Sequence, residues 1–233
     1  MRTLYWYFSF AFSLLMKIPQ YYMVDTSNAG DIQSVTAGWA RGCLRRAGVT
    51  LHVEGTENVP RGEAVVFVAN HQGNFDIPTM MATLPVPHGY IAKIETLKIP
   101  VVRKWMRYMK CVFIDRKNIR QTAKALLEGI EFLKGGHSMV LFPEGTRSKS
   151  NTMGEFKSAS FKLATKAKVP IVPVTISGTF KVMEINNSKI KPADVYVKIH
   201  PVIRTDDIDN ESLPGLPDRV KEVIASALPL ARP

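Results

Sequence analysis

The sequence predicts an α/β fold: a mixed, largely parallel sheet flanked by helices, preceded by an N-terminal two-helix motif suited to a membrane interface. Three observations predict it. Short, β-branched-rich runs alternate with stretches of helical periodicity. One run, "AVVFVA" (residues 64–69), has no charge at all, as a strand buried on both faces requires. Near the start of the chain, residues 3–16 are fourteen uncharged residues, "TLYWYFSFAFSLLM", closed by Lys17 and Pro19. The expected division is a membrane-associating segment over 1–48 and one domain over 49–233.

Fourteen residues are too few to span a bilayer, which takes roughly 20. Tyr5, Trp6, Tyr7, Phe8, Phe10 and Phe12 are rings that favour the membrane interface. After Asp31, read as an N-cap, Ile32, Val35, Trp39, Cys43 and Ala47 recur at helical steps, with Arg41, Arg45 and Arg46 off that stripe. Two such helices can dip into one leaflet. A signal peptide ending near Ser27 and Ala29, or a single spanning helix reaching Val24, are the rival readings.

Strands are expected at 50–55, 64–69, 89–92, 111–114, 138–142, 171–177 and 195–199. A helix should follow Asp76, with Pro78 in its first turn. Val102, Trp105, Met106 and Met109 form an apolar stripe opposite Arg103, Lys104, Arg107 and Lys110. That stripe is either core or a second membrane-contacting face. Ala123, Leu126, Leu127, Ile130 and Leu133 mark a helix stopped by Gly135 and Gly136. Phe156, Ser160, Leu163, Ala164 and Ala167 mark another, and Val220, Val223, Ile224 and Ala227 a last one.

With 31 Lys and Arg against 20 Asp and Glu, the net charge is +11, which favours anionic partners. Residues 91–124 hold ten basic and two acidic side chains, net +8, so the excess is local. Nucleic-acid binding would interleave aromatics with that charge. The most aromatic segment instead has no charge, which argues against nucleic acid. Two cysteines make no disulfide framework and fit a reducing compartment. No Cys/His cluster has metal-ligand spacing.

The chemistry gathers at strand ends. "NHQGNFD" (residues 70–76) places His71 and Asp76 five apart around Gly73, where a carboxylate can hold one ring nitrogen and leave the other as an oriented base. A polar loop with His71 merely exposed is the plain alternative. "FIDR" puts Arg116 just past the fourth strand. "FPEGTRS" (residues 142–148) carries Glu144, Gly145, Thr146 and Arg147 past the fifth. Arginine is the side chain for bidentate phosphate recognition, although Glu144 and Arg147 can also simply pair with each other. Lys93, in the basic stretch, is a further phosphate candidate. "VPIVPV" (residues 169–174) brackets the sixth strand.

In this order and at these separations, the four blocks resemble those of the glycerolipid acyltransferase family, most of all its 1-acylglycerol-3-phosphate branch. The resemblance covers residues 51–177. It implies transfer of a fatty acyl chain from acyl-CoA or acyl-carrier protein to a lysophospholipid hydroxyl, with His71 as base and Asp76 as its orienter. It also implies that Arg116, Glu144, Gly145 and Arg147 bind the acceptor's glycerol phosphate. Lysophosphatidic acid is the expected acceptor, with glycerol-3-phosphate or another lysophospholipid as the alternative. No cofactor or metal is called for. The expected location is monotopic on an anionic cytoplasmic leaflet, the inner membrane if the source is bacterial. Non-catalytic binding to anionic membranes or to nucleic acid is the competing class. One departure is visible: a glycine commonly precedes such "VFIDR"-like blocks, and this chain has Cys111, which lacks glycine's φ freedom.

Overall fold

The structure, a computed structural model, describes residues 1–206, 208 and 213–228. The remainder of the expected 49–233 domain lies outside the described residues.

Seven strands form one sheet: β1 (Val49–Glu54), β2 (Val66–Ala69), β3 (His88–Lys93), β4 (Val112–Ile114), β5 (Ser138–Leu141), β6 (Ile171–Ser177) and β7 (Ala193–Ile199). Their order is β1-β7-β6-β2-β5-β3-β4. Every neighbouring pair is parallel except β6 with β7. The sheet is mixed and largely parallel, and all seven expected strands are present. β2 sits at its centre, between β5 and β6.

Alternation along β2 and the residues before it explains the uncharged run. Val66 and Val68 enter one core, with Leu133, Met139, Leu163 and Ile224. Val65, Phe67 and Ala69 enter the other, with Ile32, Met80, Tyr90 and Val174. Helices α6 (Ile119–Lys134), α7 (Ser158–Ala167) and α8 (Leu216–Ala225) supply the first core. Helices α3 (Ala29–Ala47) and α4 (Asp76–Thr83) supply the second. Helices α1 (Arg2–Leu15), α2 (Gln20–Met23) and α5 (Pro100–Tyr108) complete the set. The glycine stop at 135–136 ends α6 as expected.

Three local expectations are corrected, and one open alternative is decided. The cap of α3 is Asn28, whose side chain accepts from the Gly30 N–H at 2.9 Å, and Asp31 lies in the first turn, facing the helix's positive end. Phe156 is buried but precedes α7, because the Lys157 N–H is tied to Pro143 O at 3.2 Å and the helix starts at the next residue. Cys111 needs no glycine-like φ: Lys110 takes the left-handed turn at φ 52, and the Cys111 thiol accepts from the Tyr90 N–H at 3.3 Å. Burial pushes that thiol up to about 12. Finally, Trp105 and Met109 of the basic α5 stripe are buried, and Val102 and Met106 line a cavity, so the stripe faces inward.

The N-terminal helices are joined to the body. Trp6 of α1 is buried, donates its indole N–H to Cys43 O at 3.2 Å and packs on Phe75 with ring centroids 5.4 Å apart. Helix α3 packs along α4. Leu4, Tyr5, Phe8, Phe12, Leu15 and Met16 of α1 and its end, with Tyr22 and Met23 of α2, are exposed. The apolar residues of α3 behave differently: Ile32, Cys43 and Ala47 are buried, and Val35 and Trp39 line the cavity. Among the described residues, no helix is long and apolar enough to cross a membrane.

Candidate active site

β2 delivers its carboxyl end to the middle of the sheet edge, where loops from parallel strands converge. Asn70 fastens that end to β6: its amide donates to Ile176 O at 2.8 Å and accepts from the Ile176 N–H at 2.8 Å. His71 is the next residue. Its Nδ1 lies 2.6 Å from Asp76 Oδ2, so the imidazole and the carboxylate expected to meet do meet. The carboxylate is fully buried and held elsewhere too: Oδ2 accepts the Gly73 N–H at 2.8 Å, and Oδ1 accepts the Thr179 hydroxyl. A carboxylate fixed at both oxygens cannot swing, so it fixes the ring that it holds. The Phe142 ring stacks on the imidazole at 4.3 Å and limits its rotation further. Nε2 is left as the nitrogen available for proton transfer.

The turn after β5 is stitched to the same corner. Ser148 N–H donates to His71 O at 2.8 Å, and Lys149 N–H to Gln72 O at 3.0 Å. Glu144, also buried, accepts the His71 N–H at 2.6 Å on one oxygen and the Gly154 N–H at 2.8 Å on the other. Burial raises its pKa, and the two backbone donors oppose that by favouring the ionised form. Glu144 therefore faces backbone, and the pair with Arg147 anticipated as an alternative is not formed. Arg147 instead donates to Asn74 Oδ1 and lies 3.8 Å from Glu184 Oε1.

Gly145 takes φ 68, a left-handed turn that a glycine accepts at no cost. A Cβ there would stand 3.2 Å from Lys157 Nζ and 3.5 Å from Arg116 Nη2. Gly73 is a glycine for another reason. Its φ is not positive, but a Cβ would fall 2.5 Å from a Glu184 carboxylate oxygen.

One cavity of about 1100 Å³ borders these groups. His71, Lys93, Arg116, Gly145, Thr146 and Arg147 all line it, so seven of the eight expected site residues border one space or, as with Asp76, hold a residue that does. Glu144 is the eighth and lies behind its wall. Apolar side chains from α1, α3, α4 and α5 line the same space, among them Phe10, Trp39, Met81 and Met106.

Several contributors escaped sequence reasoning. Gln72 is fully buried, accepts the Gly178 N–H at 2.9 Å and donates to Asn151 Oδ1 at 2.8 Å. Glu184 accepts the Asn74 N–H at 2.7 Å. Lys157 lines the cavity. No local pattern marks the first two, whose bonds to Gly178 and Asn74 cross more than one hundred residues. Lys157 was one lysine among many.

Residues 50–177 match the family described as Acyltransferase. A 1-acyl-sn-glycerol-3-phosphate acyltransferase of Borreliella burgdorferi is 31% identical over 183 residues, covering 76% of this chain and 73% of that protein. A probable 1-acyl-sn-glycerol-3-phosphate acyltransferase of Mycoplasma pneumoniae is 41% identical over 153 residues, 64% of this chain but only 56% of that protein. The crystal structure of the 1-acyl-sn-glycerophosphate acyltransferase from Thermotoga maritima superimposes with a TM-score of 0.81 at 31% identity, covering 97% of this chain and 92% of that one.

Proposed function

This chain belongs to the acyltransferase family, and we propose that it moves a fatty acyl chain from an acyl thioester to the free sn-2 hydroxyl of 1-acylglycerol-3-phosphate, giving phosphatidic acid. The observation that carries this reading is the 2.6 Å contact between His71 and a fully buried Asp76, at the edge of a cavity lined by cationic and apolar side chains. Its named relatives support the choice of acceptor.

The chemistry follows from the pair. Asp76 keeps the proton on Nδ1, so Nε2 of His71 accepts the proton of the acceptor hydroxyl as its oxygen attacks the thioester carbonyl. The tetrahedral adduct collapses by breaking the carbon–sulfur bond. The leaving thiolate takes the proton back from Nε2, giving an ester and a free thiol. The substrate brings its own nucleophile, so no acyl-enzyme is needed. Proton transfer of this kind contributes about 10²–10⁴-fold. Arg147, Arg116 and Lys93 hold the acceptor's phosphate, with the Gly145–Thr146 turn beside it. The apolar part of the cavity takes acyl chain. Acyl-CoA and acyl-carrier protein present the same thioester and both serve this mechanism.

The exposed apolar side chains of α1 and α2 seat the protein on one leaflet, with the cytoplasmic anionic surface as partner. A two-chain product then has a short route back to the bilayer.

The test is a lipid-product assay of the purified protein, with both thioester donors and a panel of lysophosphatidate, glycerol-3-phosphate, other lysophospholipids and monoacylglycerol. Phosphatidic acid as the main product is expected. Faster acylation of a different acceptor, or none of any, overturns the reading.

A further inference from the structure

We propose that Lys157 joins Arg116 above Gly145 to form the clamp that takes the acceptor's phosphate monoester, a role that rests on the acyl-transfer reading above.

Lys157 is placed by three fastenings. The Gly154 N–H is bonded to the buried Glu144 at 2.8 Å, the ring of Phe156 is buried, and the Lys157 N–H donates to Pro143 O at 3.2 Å. An exposed lysine is thereby pinned to the turn that follows β5. Arg116 reaches the same point from the end of β4. Lys157 Nζ and Arg116 Nη2 stand 3.2 and 3.5 Å from the position that a Cβ on Gly145 would fill. A glycine with φ 68 keeps that position open.

Charge argues for a ligand there. Among the described residues lining the cavity, five are Lys or Arg (Lys17, Lys93, Arg116, Arg147 and Lys157) and none is Asp or Glu. Arg147 has Glu184 at 3.8 Å, so part of its charge is already matched. No carboxylate among the described residues lies within 4.0 Å of the Arg116 guanidinium or the Lys157 ammonium. Two cations brought to one point without an anion repel each other. A phosphate monoester, close to two negative charges at neutral pH, matches the pair, and the guanidinium fork meets two of its oxygens while the ammonium meets the third. A thioester donor also carries phosphate, so the two sources must be separated by experiment.

The variants are Lys157→Met, which keeps the stem, and Lys157→Arg, which keeps the charge. With lysophosphatidate as varied substrate, Lys157→Met should raise the acceptor KM about tenfold, more than it lowers kcat, and Lys157→Arg should recover most of that loss. The penalty should fall more heavily on lysophosphatidate than on monoacylglycerol, and the thioester KM should rise far less than the acceptor KM. Calorimetric binding of glycerol-3-phosphate should weaken about tenfold in Lys157→Met. That arm needs no turnover. A wild type that binds glycerol-3-phosphate but fails to acylate lysophosphatidate overturns the function and leaves the clamp standing. An unchanged glycerol-3-phosphate Kd, a thioester KM that rises in place of the acceptor KM, or an equal penalty on monoacylglycerol overturns the clamp.

Discussion

The Glu144 carboxylate accepts the backbone N–H of His71 at 2.6 Å and, with its other oxygen, the Gly154 N–H at 2.8 Å. One buried side chain thus braces both the histidine turn and the segment that carries Lys157. A glutamate in "FPEGTRS" reads from sequence as a ligand for substrate, yet here both oxygens are occupied by backbone. Glu144→Gln keeps one acceptor oxygen but points an NH₂ at the other N–H. It should cost about 1–3 kcal/mol of stability, from a buried donor left unpaired. It should also lower kcat by loosening His71. Thermal melts and kinetics on the same preparation check both; an unchanged Tm would mean that the brace carries no weight.

His71 and Asp76 should separate in their effects on folding. His71→Ala removes a partly exposed ring whose one ion-pair partner among the described residues is Asp76. It should lower kcat by about 10²–10⁴-fold while the Tm moves little. Asp76→Ala also strips the Gly73 N–H of its partner and leaves the Thr179 hydroxyl only the longer contact to Gln72 Oε1 at 3.3 Å, so it should be destabilising as well as inactive. Asp76→Asn preserves the volume and tests orientation alone. Wild-type transfer by His71→Ala would sink the mechanism.

Arg147 is the residue whose two roles compete, because it is both at the cavity and beside Glu184. Arg147→Ala should raise the lysophosphatidate KM by the equivalent of about 1.5–3 kcal/mol, one charge-assisted hydrogen bond, and Arg147→Lys should rescue only part. Monoacylglycerol is the control. If the variant penalises that neutral acceptor as heavily, Arg147 serves to hold Asn74 and Glu184 rather than phosphate.

β2, β5 and β6 were legible because burial on both faces leaves no room for charge, and their composition shows that directly. Their pairing was not. β6 and β7 run antiparallel while β1 and β7 run parallel, a choice made by contacts among distant segments. The same boundary divides the site. His71 and Asp76 lie five residues apart on one turn, so their meeting could be read from spacing. Gln72 with Gly178, and Glu184 with Asn74, meet across more than one hundred residues. Glu144 is marked by its block, but its two backbone partners, His71 and Gly154, are not, because a motif gives a residue's identity without saying which way its side chain turns.

Acid should destabilise the protein in a defined window. His88 is buried, with Nδ1 2.8 Å from Val86 O and Nε2 3.1 Å from the Tyr90 hydroxyl, and burial lowers its pKa from 6.5 to about 4. His200 is lowered to about 4 as well, by burial and then by Lys198. For a histidine with a depressed folded value, the unfolded chain takes up the proton first. Stability is therefore intact above about pH 6.5 and falls as the pH drops from there towards 4. The slope is about 1.4 kcal/mol per pH unit for each such histidine, as an upper bound. Denaturant unfolding at pH 7, 6 and 5 checks it. His88→Gln should flatten the slope, and an equally steep one would assign the effect to other groups.

The membrane prediction rests on which side chains the fold leaves uncovered. Deleting residues 1–48 would be a poor test, since Trp6 packs on Phe75 and α3 packs along α4, next to the site. Point changes on the outer face are cleaner. Leu4, Phe8 and Phe12 are exposed, and Phe8 is 73% accessible. Burying a side chain of that size in the acyl boundary is worth about 1.5–3 kcal/mol when complete. Phe8→Glu with Phe12→Glu should therefore lower partition onto phosphatidylglycerol vesicles at least about 30-fold while the Tm holds. Exposed Arg103 and Arg107 of α5, the helix whose Lys104 Nζ lies 4.8 Å from the Tyr22 ring centroid, should add an electrostatic part. Arg103→Glu with Arg107→Glu should weaken binding to anionic vesicles and hardly change binding to neutral ones. For topology, a protease-cleavable tag at Met1 should be cut only from the side that holds the catalytic domain. Cleavage from the opposite side would replace the one-leaflet arrangement with a spanning one.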